Sequence, residues 1–90
     1  MGEVADTIHA KLMAGLAPEI LEVVDDSASH AGHSGHRVGG ESHFNVRIVS
    51  LAFQGLGRID RNRLVNGLLA DELAGPVHAL SLKLQSPSEV

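Results

Sequence analysis

The sequence predicts an α+β fold: one small mixed three-stranded sheet with helices on one face, in the order α-β-β-α-β. Three patterns carry that reading. Val4, Ile8, Leu12 and Leu16 recur at every fourth position. Phe44, Val46 and Ile48 alternate with the polar Asn45 and Arg47. A helical apolar face from Leu64 to Leu73 then leads into a second alternation at Leu80, Leu82 and Leu84.

Taken in order, the first stripe, with Met13 beside it, predicts a helix from about Val4 to Gly15, ended by Gly15 and Pro18. The run EILEVVDD, Glu19 to Asp26, is short and β-branched and reads as a strand. A Gly, Ser and His-rich connection follows, Ser27 to about Ser42, carrying His30, His33 and His36. Irregular connections of that length are usually functional or disordered. HFNVRIVSLAF is a half-buried strand, and Gln54 to Ile59 is a turn. Asp60 reads as the N-cap of a helix whose apolar face is Leu64, Val65, Leu68, Leu69 and Leu73, stopped at Ala74 to Pro76. In the third strand, VHALSLKLQ, the alternation puts His78 on the face of the three leucines. SPSE, Ser86 to Glu89, has a capping serine, proline at the first helical position and glutamate at the third, the signature of a helix start.

Composition narrows the function. Ninety residues form a single domain, 1–90, with one core. That core is aliphatic, because Phe44 and Phe53 are the only aromatics besides histidine. The formal charge of −4 argues against a general nucleic-acid binder. The absence of cysteine excludes disulfides, thiolate ligands and thiol catalysis within this chain, and favours a cytoplasmic protein. No apolar run approaches a membrane span and no signal peptide is visible, so no membrane partner is expected.

The six histidines and an arginine cluster are the chemically informative residues. His78 reads either as a sheet-edge histidine satisfied by a carbonyl, the reading its surroundings favour, or as a metal ligand held by a rigid strand. The histidines of the connection are spaced by three, but no fixed Cys/His pattern supports a zinc site. His43 stands just before the second strand. Arg58, Arg61 and Arg63 surround the start of the second helix, where cations do not favour the helix. They read equally as a solvated helix end or as a site for an anion or an acidic partner surface. Nothing indicates an enzyme: a nucleophile elbow and a phosphate-cradling loop are both missing.

The segments LEVVDDSASH, ESHFNVRIVSLAFQGLGRIDRNRLVNGLLADEL and GPVHALSLKLQSPSE resemble, in order and spacing, the BolA-like proteins. The resemblance implies the fold given above, with a terminal helix that is here almost absent, and a relation to the second type of KH domain. It also implies a non-enzymatic adaptor that pairs with a monothiol glutaredoxin. The pair shares a [2Fe–2S] cluster with glutathione, in iron–sulfur trafficking or iron sensing. The family's C-terminal ligand falls on His78. Its second ligand comes from the connection between the first two strands, assigned here to His30, with His43 as the alternative. Without cysteine the chain resembles the branch that uses a loop histidine, and no cluster is expected in the isolated chain. Arg61 and Arg63 are expected to serve the partner more than the fold. The family's Arg-His-Arg at that helix start is Arg61-Asn62-Arg63 here. A nucleic-acid-binding transcriptional regulator is the first rival reading, and a stand-alone metal sink built on the His-rich connection is the second.

Overall fold

A computed structural model describes residues 2–26 and 43–90. The elements are α1 (Glu3–Leu16), β1 (Ile20–Asp25), β2 (His43–Val49), α2 (Arg58–Leu68), α3 (Ala70–Ala74) and β3 (Ala79–Gln85). Single 3₁₀ turns follow β2, at Leu51–Phe53, and β3, at Pro87–Glu89. The sheet order is β1-β2-β3, antiparallel between β1 and β2 and parallel between β2 and β3. The expected α+β architecture, with a mixed sheet, is what the chain adopts.

The period of the apolar residues decides which side of each element is covered. Ile8 and Leu12 of α1, Val65 of α2 and Leu69 just beyond it are fully or almost fully buried. They meet Phe44, Val46 and Ile48, the alternate residues of the central strand. Leu21 and Val23 of β1 and Leu82 and Leu84 of β3 extend the same face on either side. The other parity is solvated: Glu22 pairs in register with Arg47, and their side chains approach to 3.6 Å. A single core between helices and sheet results, built from aliphatic side chains and two phenylalanines, as a small α+β layer pair requires.

Boundaries depart from the sequence reading where local chemistry overrides periodicity. α1 passes through Gly15, and Ala17 ends it in the left-handed conformation at φ 42°. Gly15 is there for packing: a Cβ at this position would lie 2.8 Å from both terminal carbons of Leu68. β2 stops at Val49, because the next residue is used as a cap. Ser50 is fully buried, its hydroxyl donates to the Leu16 carbonyl at 2.6 Å and accepts from the Ala52 N–H at 3.1 Å, and the 3₁₀ turn begins. Gly55, at φ 82°, then reverses the chain, a conformation that glycine adopts without penalty. α2 starts at Arg58 with Gly57 as its N-cap, so Asp60 stands in the first turn and is not the cap. The long second helix is divided at Leu69 into α2 and α3. Across the divide, main-chain bonds continue from Leu69 to Val65 and from Leu73 to Leu69.

A polar tie joins α1 to α3. Glu72 is 8% exposed, and the Lys11 ammonium donates to both of its carboxylate oxygens at 2.9 Å. The hydrogen bond from Lys11 to Glu72 is the chief reason that the lysine's pKa is raised. A buried carboxylate needs such a partner. At the other end of the fold the SPSE signature is realised, with the Ser86 N–H donating to Glu89 Oε1 at 2.7 Å, in a single short turn.

Candidate functional site

Parallel pairing of β2 and β3 sets His43 opposite Ala79, one residue from His78. The two imidazoles consequently meet, with ring centroids 5.3 Å apart and planes at 62°, in an edge-to-face contact. His43 is half-buried and His78 exposed. Main-chain bonds hold this end of the sheet: the Asp26 N–H donates to the His43 carbonyl at 2.8 Å. A small cavity of about 130 Å³ adjoins His43, with Asp26, Ala79 and Ser81 among its other walls.

The sequence expectation for His78 needs one correction. The residue precedes β3 and is exposed, and the buried residue at this point is Val77, 4% accessible, not the histidine. His78 is therefore offered to solvent beside His43 and is not packed among the leucines. His30, with His33 and His36, lies outside the described residues. Among the described residues, no group of three or more His, Cys, Asp or Glu side chains is placed to hold a metal. Two adjacent nitrogen donors with room for ligands from a partner are what the described part of this end supplies.

The arginines divide. Arg58 and Arg63 are exposed. Arg61 is not a spare cation. Its side chain is 13% exposed and lies between α2 and the end of β3. Its Nε donates to the Leu56 carbonyl at 2.9 Å and its Nη1 to the Leu84 carbonyl at 3.3 Å. Both terminal nitrogens bind the Glu89 carboxylate, at 2.6 and 3.2 Å, and the guanidinium carbon stands 6.0 Å from the centre of the Phe53 ring. The expectation that Arg61 serves a partner more than the fold is revised accordingly: its planar fork is spent on internal acceptors. Glu89 responds to the same geometry. The Arg61 hydrogen bond first, and the Ser86 N–H second, lower its pKa to about 2.

A larger cleft, of about 490 Å³, opens between the start of α2 and the outer edge of β3. Lys83 lines it with Arg58. Sequence reasoning passed over Lys83, although its place on the solvated parity of the strand was legible. Reading the two alternating strands as parallel neighbours would likewise have brought His43 and His78 together.

The family model for BolA-like protein matches residues 12–89. The chain belongs to the BolA-like family. Human BolA-like protein 1 is 43% identical over 89 residues, covering 99% of this chain and 62% of that protein. This BolA-like chain thus spans about three fifths of the length of the mammalian relatives it matches. The DNA-binding transcriptional regulator BolA of Vibrio cholerae is 42% identical over 86 residues, covering 96% of this chain and 77% of the regulator. Among solved structures, the BolA domain of SufE1 from Arabidopsis thaliana superimposes with a TM-score of 0.90 at 48% identity, covering 100% of this chain and 99% of that one. The BolA1 protein of Mus musculus, solved in solution, gives 0.82 at 40% identity, covering 99% of this chain and 69% of the other.

Proposed function

We propose that this BolA-like chain is a non-enzymatic adaptor of the cytoplasm that pairs with a monothiol glutaredoxin and shares with it, and with glutathione, a [2Fe–2S] cluster in iron–sulfur trafficking or iron sensing. The observation that supports the reading most is the contact of His43 with His78 at the end of paired strands. Imidazole replaces thiolate on iron in known [2Fe–2S] centres, and two histidines on one iron raise the cluster's potential. Two imidazoles on a single tetrahedral metal have ring centres about 5 Å apart, and the observed 5.3 Å is of that size. The donor set of this chain therefore fits a shared cluster whose thiolates come from elsewhere.

Within the proposal, His78 gives one nitrogen and the second comes from His43 or His30. The chain's own contribution is to hold these rings: the register of β2 on β3 fixes their spacing, and the Asp26–His43 main-chain bond fixes the backbone of His43. The bound cluster supplies the iron that is delivered or sensed. The test is anaerobic co-purification with a monothiol glutaredoxin and glutathione, read by visible absorbance and by paramagnetic resonance after reduction. His78→Ala changes the cluster signature most. Whichever of His43→Ala and His30→Ala changes it next identifies the second ligand, and an unchanged signature in all three variants rejects the assignment. A second reading, a nucleic-acid-binding regulator, draws on the name of the Vibrio cholerae relative and on the exposed Arg58, Arg63 and Lys83. Salt-dependent retention of DNA by the isolated chain separates the two.

A further inference from the structure

Away from the histidines, the cleft has the start of α2 and the turn before it as one wall, through Arg58, Asn62 and Leu56, and the strand itself as the other, through Leu82, Lys83 and Leu84. β3 pairs only with β2 among the described residues, so it is an edge strand. The direction of its main-chain groups follows from two bonds. The Gln85 carbonyl accepts from the Ser50 N–H, just beyond β2, and thus points into the sheet. The Leu84 carbonyl accepts from Arg61 and points outward. Main-chain groups alternate sides along a strand, so Leu82 presents its N–H and C=O outward as Leu84 does. No partner for them occurs among the described residues.

The charge of this cleft differs from that of the chain. Lys11, Arg47 and Arg61 are each paired with a carboxylate. Among the described residues, no carboxylate pairs with Arg58 or Lys83, and both line the cleft in a protein of net charge −4. Leu56, Leu82 and Leu84 give the cleft an apolar part, beside Asn62 and the paired Arg61 and Glu89. Unpaired strand groups, apolar side chains and two free cations together suit one class of occupant. We propose that the cleft takes an extended acidic peptide segment of a partner protein, which adds to β3 as a fourth strand and sets its carboxylates against Arg58 and Lys83. A nucleic-acid backbone fits less well, because it has no peptide N–H and C=O groups to pair with the strand edge. A lysine on an edge strand also guards against self-pairing, and that plain role is the alternative outcome.

The proposal is independent of the cluster reading, since it uses neither histidine. Its test is fluorescence anisotropy of the full chain with a short labelled peptide of alternating glutamate and valine, together with nuclear magnetic resonance of the backbone amides. The expected result is binding that weakens with salt and shifts the amides of Leu82 and Leu84. Arg58→Gln with Lys83→Gln weakens it about fivefold or more, as the loss of two exposed charge pairs implies. N-methylation along one edge of the peptide weakens it at least as much, and His78→Ala leaves it unchanged. Absence of binding overturns the proposal and leaves Lys83 as an edge guard. Binding that ignores N-methylation or the double substitution overturns it too, as does equal binding of a lysine–valine peptide. A single-stranded oligonucleotide that binds the cleft while the acidic peptide does not would assign it to nucleic acid instead.

Discussion

The Arg61 guanidinium holds both carboxylate oxygens of Glu89 through its two terminal nitrogens, while Nη1 also donates to the Leu84 carbonyl and Nε to the Leu56 carbonyl. One side chain thereby joins the turn before α2, the end of β3 and the last turn of the described chain. Arg61→Gln is expected to lower the unfolding free energy by about 1.5–3 kcal/mol, the range for hydrogen bonds to a charged group. Arg63→Gln, on the exposed side of the same helix, changes it by less than about 0.5 kcal/mol. Urea unfolding of the two variants checks the contrast, and equal losses would contradict it.

Glu89 carries the acid sensitivity of that junction. Its folded pKa, about 2, lies below the ordinary 4.5. The stabilisation it contributes is therefore complete above the ordinary value and is lost as pH falls from there toward 2. Thermal unfolding of the wild type and of Glu89→Gln, compared across that range, should show a constant gap at neutral pH that closes on acidification. A gap that persists at the acid end means that the carboxylate is not the group responsible.

Ser50 makes a separate junction, between the end of α1 and the turn after β2. Ser50→Ala removes the hydroxyl that satisfies the Leu16 carbonyl and caps the Ala52 N–H. Because the site is fully buried, the loss is expected at about 1–3 kcal/mol. Calorimetric or denaturant unfolding reads it, and amide exchange at Ala52 should quicken by more than the global change requires.

Ala17 offers a gain. A left-handed alanine at a helix C-terminus costs roughly 1 kcal/mol relative to glycine. Ala17→Gly should raise stability by about 0.5–1 kcal/mol, less what the freer unfolded chain recovers. A fall in melting temperature would show that the αL geometry at this residue is not the source of strain.

For the cluster, the isolated chain has no cysteine, and thiolates are the usual holders of iron–sulfur clusters. Anaerobic reconstitution of the pure chain, without glutaredoxin or glutathione, should leave it colourless. A stoichiometric visible chromophore in that sample would mean that histidines alone suffice.

Period and parity made the layers legible. The stripe at Ile8, Leu12 and Leu16 and the alternation at Phe44, Val46 and Ile48 are where the sequence reading and the structure agree residue by residue. What was not legible depends on contacts remote in sequence. Lys11 and Glu72 are neighbours only because α1 packs against α2, which α3 continues. Arg61 looked available because helix-end electrostatics is a local argument, whereas its acceptors, Leu84 and Glu89, arrive from the far end of the chain. The start of α2 was misplaced for a related reason: Asp60 has capping chemistry, but the reversal at Gly55 brings the helix in three residues earlier, at Gly57.

The bond between the Asp26 N–H and the His43 carbonyl closes the β1–β2 hairpin at its root, and this has an evolutionary consequence. With the two strand ends pinned, the entropy of closing the connecting stretch grows only with the logarithm of its length, about 0.6 kcal/mol for each doubling. Segment 27–42 can therefore be lengthened, shortened or rewritten between one lineage and the next while the register of the sheet stays as it is. Selection is free to trial histidines there, by insertion as well as by substitution, beside a residue, His43, whose position the sheet has already decided.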